Sequence, residues 1–199
     1  MIPVTVVATG TANTASVLAA LHRAGASPTL TTDRDAVAGA DRLVLPGVGS
    51  FGAAMAALRE HRLVNLIREH AHAERPLLAV CVGLQVLFDS SEESPGAKGL
   101  GVIPGHLTRF HGAVRVPQLG WNRVHPTAGA RYLRHGYAAF ANSYKLDALP
   151  DGWHGATADH GGPFVAALER GAQLACQFHP ELSGTWGQAL LTRWLESAC

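Results

Sequence analysis

Three residues of this sequence have side chains whose types and spacing suit nucleophilic catalysis, namely Cys81, His179 and Glu181. A thiol attacks a carbonyl efficiently when a base takes its proton and a third group orients that base. Glu181 follows His179 after one proline, so it is close enough to bind the ring nitrogen that does not face the thiol. The three residues together predict a thiol-based acyl-transfer site.

Cys81 stands between an apolar run at residues 77–80 and a helix-like pattern that extends to Phe88. A strand that turns directly into a helix around a nucleophile forms a nucleophile elbow, in which the positions two before and two after must be small. Ala79 and Gly83 occupy these positions. The N-terminus of the following helix carries a partial positive charge, which favours a thiolate. The alternative interpretation is a buried strand cysteine without a function.

His179 and a glycine-rich stretch supply the other parts of the predicted site. His179 follows an apolar strand at residues 174–178, and sites gather at the carboxyl ends of such strands, although a surface or capping histidine is the alternative. Acyl transfer also needs N–H donors for the oxyanion. We expect these donors at Gly47 and Val48, after a central strand, and at Val82 in the elbow. The alternative is an ordinary glycine-rich loop, and the Lys and Ser/Thr of a phosphate-binding loop are missing.

The composition favours a globular α/β protein. The chain has 199 residues, of which 47% are hydrophobic. Its formal net charge of +1 gives no electrostatic reason to expect nucleic acid or a membrane surface as a partner. The 3 cysteines are few and form no Cys-x-x-Cys pair, so we expect a reducing, cytoplasmic location. No spacing of ligands predicts a metal site, since His70 and His72 point two ways around a helix.

The order of predicted elements indicates an α/β fold with a mixed, mostly parallel central sheet flanked by helices. In the first half, the predicted strands are 4–8, 28–32, 43–45 and 77–80, the helices are 14–24, 52–60 and 63–73, and 33–39 is a connecting segment. In the second half, a loop at 89–105 precedes short strands at 106–115, 121–125, 137–143, 155–159, 164–169 and 173–178 and a helix at 185–197. The second half therefore adds antiparallel strands, and we expect one domain over residues 1–199.

Three stretches in this order, 46–49, 80–85 and 177–181, resemble the signatures of class I glutamine amidotransferases. Further stretches resemble one branch of that family, the glutaminase subunits of imidazole glycerol phosphate synthases, and these stretches are 13–17, 91–93, 99–105 and 116–122. The resemblance runs the whole length of the chain. It implies the flavodoxin-like fold of that family.

The resemblance also implies an activity and a partner. Such a subunit hydrolyses L-glutamine to glutamate and ammonia without a cofactor, with Cys81 as nucleophile, His179 as base and Glu181 as its orienter. The ammonia passes through a channel to a cyclase with a (β/α)₈ barrel, the other half of a heterodimer. That cyclase forms imidazole glycerol phosphate and 5-aminoimidazole-4-carboxamide ribonucleotide in histidine biosynthesis.

Other residues receive roles by the same resemblance. Gly47 and Val48 belong to an oxyanion strand that, in the family, can be turned away until the partner is loaded. The glutamine pocket is implied at Gly49, Gln85, Asn142, Ser143 and Tyr144, the last three through their backbone. The partner interface is implied at Asn13, Pro117, Leu119, Trp121 and Asn122.

Several positions depart from the family pattern without affecting the triad. Gln118 and Asn142 stand where histidines are usual, Leu182 stands where a lysine is usual, and the loop at 9–13 has less glycine. Because several of these departures lie on the side that the resemblance assigns to the partner, a diverged paralogue that supplies ammonia to a different synthase stays open. A non-catalytic regulatory subunit and a stand-alone thiol hydrolase are further alternatives. The complete triad argues against the first of these, and Gln85 with the segment 121–122 against the second.

Overall fold

The structure, a computed structural model, describes residues 1–8 and 13–197. Most of the predicted opening loop, residues 9–12, lies outside the described residues, and so does Cys199.

Strands and helices alternate through the first half of the chain, and strands dominate the second half. The strands are β1 (Ile2–Val7), β2 (Ala26–Thr31), β3 (Leu43–Leu45), β4 (Leu77–Val80), β5 (Ser90–Ser91), β6 (His106–Arg109), β7 (Gln118–Pro126), β8 (Gly136–Asn142), β9 (Tyr144–Lys145), β10 (His154–Asp159), β11 (Pro163–Arg170) and β12 (Gln173–Cys176). The helices are α1 (Thr14–Arg23), α2 (Arg34–Ala38), α3 (Phe51–Glu60), α4 (Val64–His72), α5 (Val82–Gln85) and α6 (Gly184–Ser197), with a 3₁₀ turn at Pro180–Leu182.

A nine-stranded sheet in the order β2-β1-β3-β4-β12-β11-β10-β7-β8 forms the centre of the molecule. The strands from β2 to β12 in this order are parallel, and each later neighbour is antiparallel. Helix α1 packs against β2 and α6, whereas α2 packs against α4. The predicted mixed α/β sheet with antiparallel strands added by the second half is confirmed. Among the described residues, no helix combines the length and the apolar character needed to cross a bilayer.

Some predicted elements were wrong. Residues 33–39 contain helix α2, because the Asp33 side chain accepts a hydrogen bond from the Ala36 N–H at 2.8 Å and thereby caps the first turn. The strand predicted at 106–115 ends at Arg109, and the chain then turns through Gly112, whose φ is 92°. The loop predicted at 89–105 contains β5, and β9 was not predicted; both are short and pair only with β6.

Strand β4 ends at the edge of the sheet where the predicted site lies. It lies between β3 and β12 in parallel register, with Val80 opposite Cys176. The carboxyl ends of β4 and β12 are therefore neighbours, which brings Cys81 and His179 to one edge. A Cβ added to Gly83 would lie 1.9 Å from the Leu45 carbonyl oxygen, so only glycine lets the chain after Cys81 approach β3 this closely. The predicted need for a small residue at this position is confirmed.

Candidate active site

Cys81 occupies a strained turn directly after β4. Its φ of 53° lies in the left-handed region, which non-glycine residues seldom adopt outside functional sites. The predicted helix to Phe88 is wrong in length, because α5 is a single turn. The carbonyl groups of Val86 and Leu87 accept hydrogen bonds from Leu100 and Val102, at 2.7 and 2.9 Å, so the loop that follows replaces further helix. The strand-to-helix elbow is nevertheless present, and it presents the thiol at the sheet edge.

His179 is fixed from both its backbone and its ring. Its N–H donates to the Ala139 carbonyl of β8 at 2.8 Å, and its own carbonyl accepts from the Ser183 hydroxyl at 2.6 Å. The ring nitrogen Nδ1 donates to Glu181 Oε1 at 2.8 Å, which leaves Nε2 for the thiol. The His179 and Glu181 side chains are only 7% and 5% exposed. A buried carboxylate therefore sets the tautomer and the orientation of the ring.

The surroundings of His179 favour a charged ring. Burial opposes the charge and by itself lowers the pKa, but hydrogen bonding with the Cys81 sulfur and with the Glu181 carboxylate outweighs burial and raises the pKa of His179 to about 10. At neutral pH the ring is thus protonated, and it can give its proton to a leaving group.

A cavity of about 300 Å³ opens above the thiol, at the lower end of the range for small-molecule sites. Its lining residues are Val48, Gly49, Cys81, Val82, Gln85, Glu93, Pro117, Leu119, Ala141, Asn142, Ser143, Tyr144 and His179. The structure therefore brings the predicted pocket residues together with the thiol and the histidine. Of the other predicted site residues, Gly47, Asn13, Trp121 and Asn122 do not line this cavity.

The predicted oxyanion donor at Val82 is occupied in this structure. The Val82 N–H donates to the Gly47 carbonyl oxygen at 3.4 Å, so a carbonyl stands where the prediction placed a free donor. Gly47 itself packs against the elbow, because an added Cβ would lie 2.8 Å from the Gly83 nitrogen. The residues are adjacent as expected, but the oxyanion hole is not formed in this conformation.

Two departures from the family pattern lie opposite each other. Gln118 of β7 pairs with Asn142 of β8 in the antiparallel register, and both side chains are buried. The Asn142 amide donates to the Tyr144 carbonyl at 3.1 Å, whereas Gln118 Oε1 and Asn142 Oδ1 find no hydrogen-bond partner within the described part of the chain. The departures at these positions are thus one local change, which reaches the cavity wall through Asn142.

Two polar residues at the site were missed by the sequence reasoning as separate functional residues. Glu93 lines the cavity, and its Oε2 accepts from the Phe51 N–H at 2.6 Å at the start of α3. Gln177 is 1% exposed and contacts Cys81. A buried amide two positions before His179 was a usable signal for Gln177, because alternate residues of an extended segment face the same side. Glu93 lies in a polar loop, and the stretch 91–93 entered the resemblance without a role being given to this residue.

Four of the five residues predicted to meet a partner lie on or directly before β7, which forms a hairpin with β8, and these are Pro117, Leu119, Trp121 and Asn122. Leu119 and Trp121 are 62% and 61% exposed, although both are large and apolar. The Asn122 amide donates to the Asp159 carbonyl at 2.7 Å, and Pro117 lines the cavity. Asn13 is exposed directly before α1. Leu119 belongs both to the cavity wall and to the exposed surface, so the cavity reaches that surface.

Within residues 1–8 and 13–197, no group of three or more His, Cys, Asp or Glu side chains could hold a metal ion. His70 is buried, with its Nε2 2.9 Å from the Pro76 carbonyl oxygen, whereas His72 is exposed. Cys176, predicted to belong to the core, is buried and free.

Comparison with known proteins gives consistent results. The family model "Glutamine amidotransferase class-I" matches residues 6–197. The imidazole glycerol phosphate synthase subunit HisH of Thermus thermophilus is 43% identical over 182 residues, which cover 92% of this chain and 91% of that protein. The chloroplastic imidazole glycerol phosphate synthase hisHF of Arabidopsis thaliana is 38% identical over 203 residues, which cover 96% of this chain and 34% of that protein. A solved glutamine amidotransferase structure has a TM-score of 0.79 at 22% identity and covers 98% of each chain, which supports the fold.

Proposed function

Because this chain belongs to the class I glutamine amidotransferase family, we propose that it is the glutaminase subunit of an imidazole glycerol phosphate synthase. In this role it hydrolyses L-glutamine to glutamate and ammonia and delivers the ammonia to a cyclase subunit in histidine biosynthesis. The observation that carries the proposal is the position of His179 between the Cys81 sulfur and the Glu181 carboxylate, at the wall of a cavity of about 300 Å³.

The proposed chemistry uses the three side chains in order. The Cys81 thiolate attacks the side-chain carboxamide of glutamine, and protonated His179 gives its proton to the nitrogen as ammonia leaves. A γ-glutamyl thioester remains on Cys81. His179, now neutral, takes a proton from water, the resulting hydroxide attacks the thioester, and glutamate leaves as the thiolate is restored. Glu181 keeps the ring oriented through both half-reactions.

The glutamine pocket is proposed to use the polar groups around the cavity. Gln85, Gly49 and the backbone at residues 142–144 surround the space above Cys81. We assign the carboxylate of Glu93 to the α-ammonium group of glutamine, because Glu93 lines the same cavity. Its Oε2 is already fixed by the Phe51 N–H, which prevents the carboxylate from rotating away. A pocket with fixed carboxylate and amide groups favours an amino acid over a simple amide.

The exposed hairpin is proposed as the docking surface for the cyclase. Trp121 presents an exposed aromatic side chain of the kind enriched at interfaces, and Leu119 adds exposed apolar surface beside it. Pro117 and Leu119 also line the cavity, so ammonia released at Cys81 can leave toward the docked partner. Asn122 and Asn13 are assigned to the same interface as further contacts. In the Arabidopsis relative hisHF the matched region is 34% of a longer, fused chain.

The proposal also covers the domain organisation of the chain and its location in the cell. We propose that residues 1–199 form one glutaminase domain, since the family match spans 6–197 without interruption. We also propose a reducing, cytoplasmic setting, because the chemistry needs a free thiol and both described cysteines, Cys81 and Cys176, are free.

The experiment that tests the function is a reconstitution with the cyclase barrel from the same source. With glutamine and the nucleotide substrate of the barrel, we expect imidazole glycerol phosphate to form only when this chain is present, with one glutamate released for each product molecule. Ammonium salt in place of glutamine should support the barrel alone, which isolates the contribution of this chain. Glutamine hydrolysis without product, while ammonium salt still gives product, would instead indicate a different acceptor enzyme.

Replacing Glu181 by glutamine should slow glutamine hydrolysis less than loss of Cys81, and turnover should remain measurable. The orienting carboxylate does not touch substrate, and orienter losses in other triads reach about 10⁴-fold, against about 10⁶-fold for the nucleophile. The variant should also lower the pKa of His179 below its value of about 10, because one of the attractions that oppose burial is removed. Kinetics of the complex and NMR titration of the ring measure both effects. An equal loss for Glu181→Gln and Cys81→Ala would give Glu181 a direct part in the reaction.

A further inference from the structure

Gln177 is a buried amide for which neither the triad nor the glutamine pocket accounts. It lies in the bend that follows β12, two residues before His179. Gln177 is 1% exposed, and amide groups this deeply buried are stable only when hydrogen-bonded. Its partners therefore define its role.

Both ends of the Gln177 amide have partners at the site. Nε2 donates toward the Cys81 sulfur at 3.8 Å, within reach of a hydrogen bond to sulfur. Oε1 accepts from the Gln85 Nε2 at 3.1 Å. With the Gln85 amide placed as it is, turning the Gln177 amide over would set two N–H groups against each other and its oxygen against the sulfur. Gln85 in this orientation therefore favours the Gln177 N–H toward the nucleophile.

We propose that Gln177 is a further catalytic residue, whose amide N–H stabilises the Cys81 thiolate and whose orientation is set by Gln85. The inference rests on the proposed role of Cys81 as the nucleophile. A neutral donor beside a buried thiolate adds to the attraction of the imidazolium without competing for its proton. Hydrogen bonds to charged acceptors are stronger than those to neutral ones.

The contribution changes during the reaction, although no proton leaves Gln177. When the carbon–sulfur bond forms, the negative charge moves to the carbonyl oxygen of the substrate and the hydrogen bond from Gln177 weakens. When the thioester is hydrolysed, the carbon–sulfur bond breaks and its electron pair returns to the sulfur, where Gln177 again stabilises it. Loss of Gln177 should therefore slow thioester hydrolysis and cause the acyl-enzyme to accumulate.

The test measures the rate of alkylation of Cys81 by iodoacetamide against pH, in the full chain without glutamine or partner, with mass spectrometry to identify the modified residue. Gln177→Met keeps the volume but removes the donor, and we expect the midpoint of the rate profile to move up by about one pH unit. Gln177→Glu, which places a carboxylate beside the sulfur, should move the midpoint at least as far. Both variants should accumulate thioester when glutamine and the cyclase are supplied.

Gln173→Met is the matched control. Gln173 is the first residue of β12, is 2% exposed, and donates to the Ala71 carbonyl of α4 at 2.6 Å rather than to the sulfur. It should lose a similar amount of thermal stability while leaving the alkylation profile unchanged. An unchanged profile in folded Gln177→Met would overturn the inference, as would an equal shift in Gln173→Met. If Gln177→Met does not fold, the alkylation profile of Gln177→Glu is the test, and an unchanged midpoint in that variant would overturn the inference. Absence of Cys81 alkylation in the wild type would contradict the proposed function itself.

Discussion

Cys81→Ala will reduce glutamine hydrolysis by about 10⁶-fold, the loss found when the nucleophile is removed from a triad. The reason is that the Cys81 sulfur is the nucleophile that His179 contacts at the wall of the cavity. The fold should survive, because alanine removes only one sulfur atom and leaves a small cavity. Glutamate release by the complex with its cyclase measures the first effect, and thermal unfolding measures the second.

A glutamine-like electrophile such as a diazoketone provides the chemical control for this prediction. It should label Cys81 in the wild type and neither Cys176 nor Cys199. Burial, together with the nearby carboxylates Glu181 and Glu169, raises the pKa of the Cys176 thiol well above its usual value, so Cys176 stays protonated and unreactive. Labelling of Cys176 in place of Cys81 would contradict the assignment of the nucleophile.

The same variant reports on the charge of His179. Removing the sulfur leaves burial opposed only by Glu181, so the pKa of His179 should fall clearly below about 10 in Cys81→Ala. NMR titration of the imidazole resonances measures this change in the isolated chain. An unchanged pKa would mean that the thiol and the ring do not interact, and would weaken the proposed chemistry.

The triad could be predicted from the sequence because each member follows an element with a clear pattern. The apolar run at 77–80 and the small residue Gly83 predict the elbow, and the close approach of Gly83 to Leu45 is the physical reason for that small residue. The parallel register of β4 and β12 then places His179 beside Cys81, although 98 residues separate them in sequence. The distance along the chain did not hide the pair, because a thiol nucleophile needs a base and sites gather at the carboxyl ends of strands in such sheets.

Other parts of the site could not be predicted for identifiable reasons. The length of α5 depends on which N–H groups the loop after Phe88 presents to the Val86 and Leu87 carbonyls, and this is a tertiary effect. The direction of the peptide group at Gly47 is not encoded in residue types, since glycine adopts several conformations at little cost. The pairing of Gln177 with Gln85 depends on two side chains that meet only after β4 and β12 are adjacent.

The peptide group between Gly47 and Val48 determines the last prediction. Its carbonyl oxygen now accepts from the Val82 N–H at 3.4 Å, on the side where an oxyanion must be bound. Because a peptide group is planar, rotating this one by half a turn would move the Gly47 oxygen away and bring the Val48 N–H toward the site. The same rotation frees the Val82 N–H. Two donors therefore become available together or not at all.

The isolated chain should consequently be a poor glutaminase, and the loaded cyclase should raise its rate. One missing oxyanion donor costs roughly 10²–10³ in rate, so an increase of at least about this factor is expected. The increase is a shift between two states of the loop, and a partner can cause it only by binding one state better than the other. The segment from Pro117 to Asn122 can supply this bias, because Pro117 and Leu119 share the cavity wall with Val48.

Glutamate release is the measurement, first by this chain alone and then with the cyclase and its nucleotide ligand. Trp121→Ala removes an exposed aromatic group that does not line the cavity, so it should weaken activation while leaving the rate of the isolated chain unchanged. Leu182 is exposed and stands where the family usually has a lysine, so this interface loses one ion pair. An exposed ion pair contributes only about 0–1 kcal/mol, so the complex should still form. Full activity of the isolated chain would contradict the prediction and favour a stand-alone hydrolase. No activation by the histidine-pathway cyclase, while Cys81 still reacts with the diazoketone, would show that another synthase receives the ammonia.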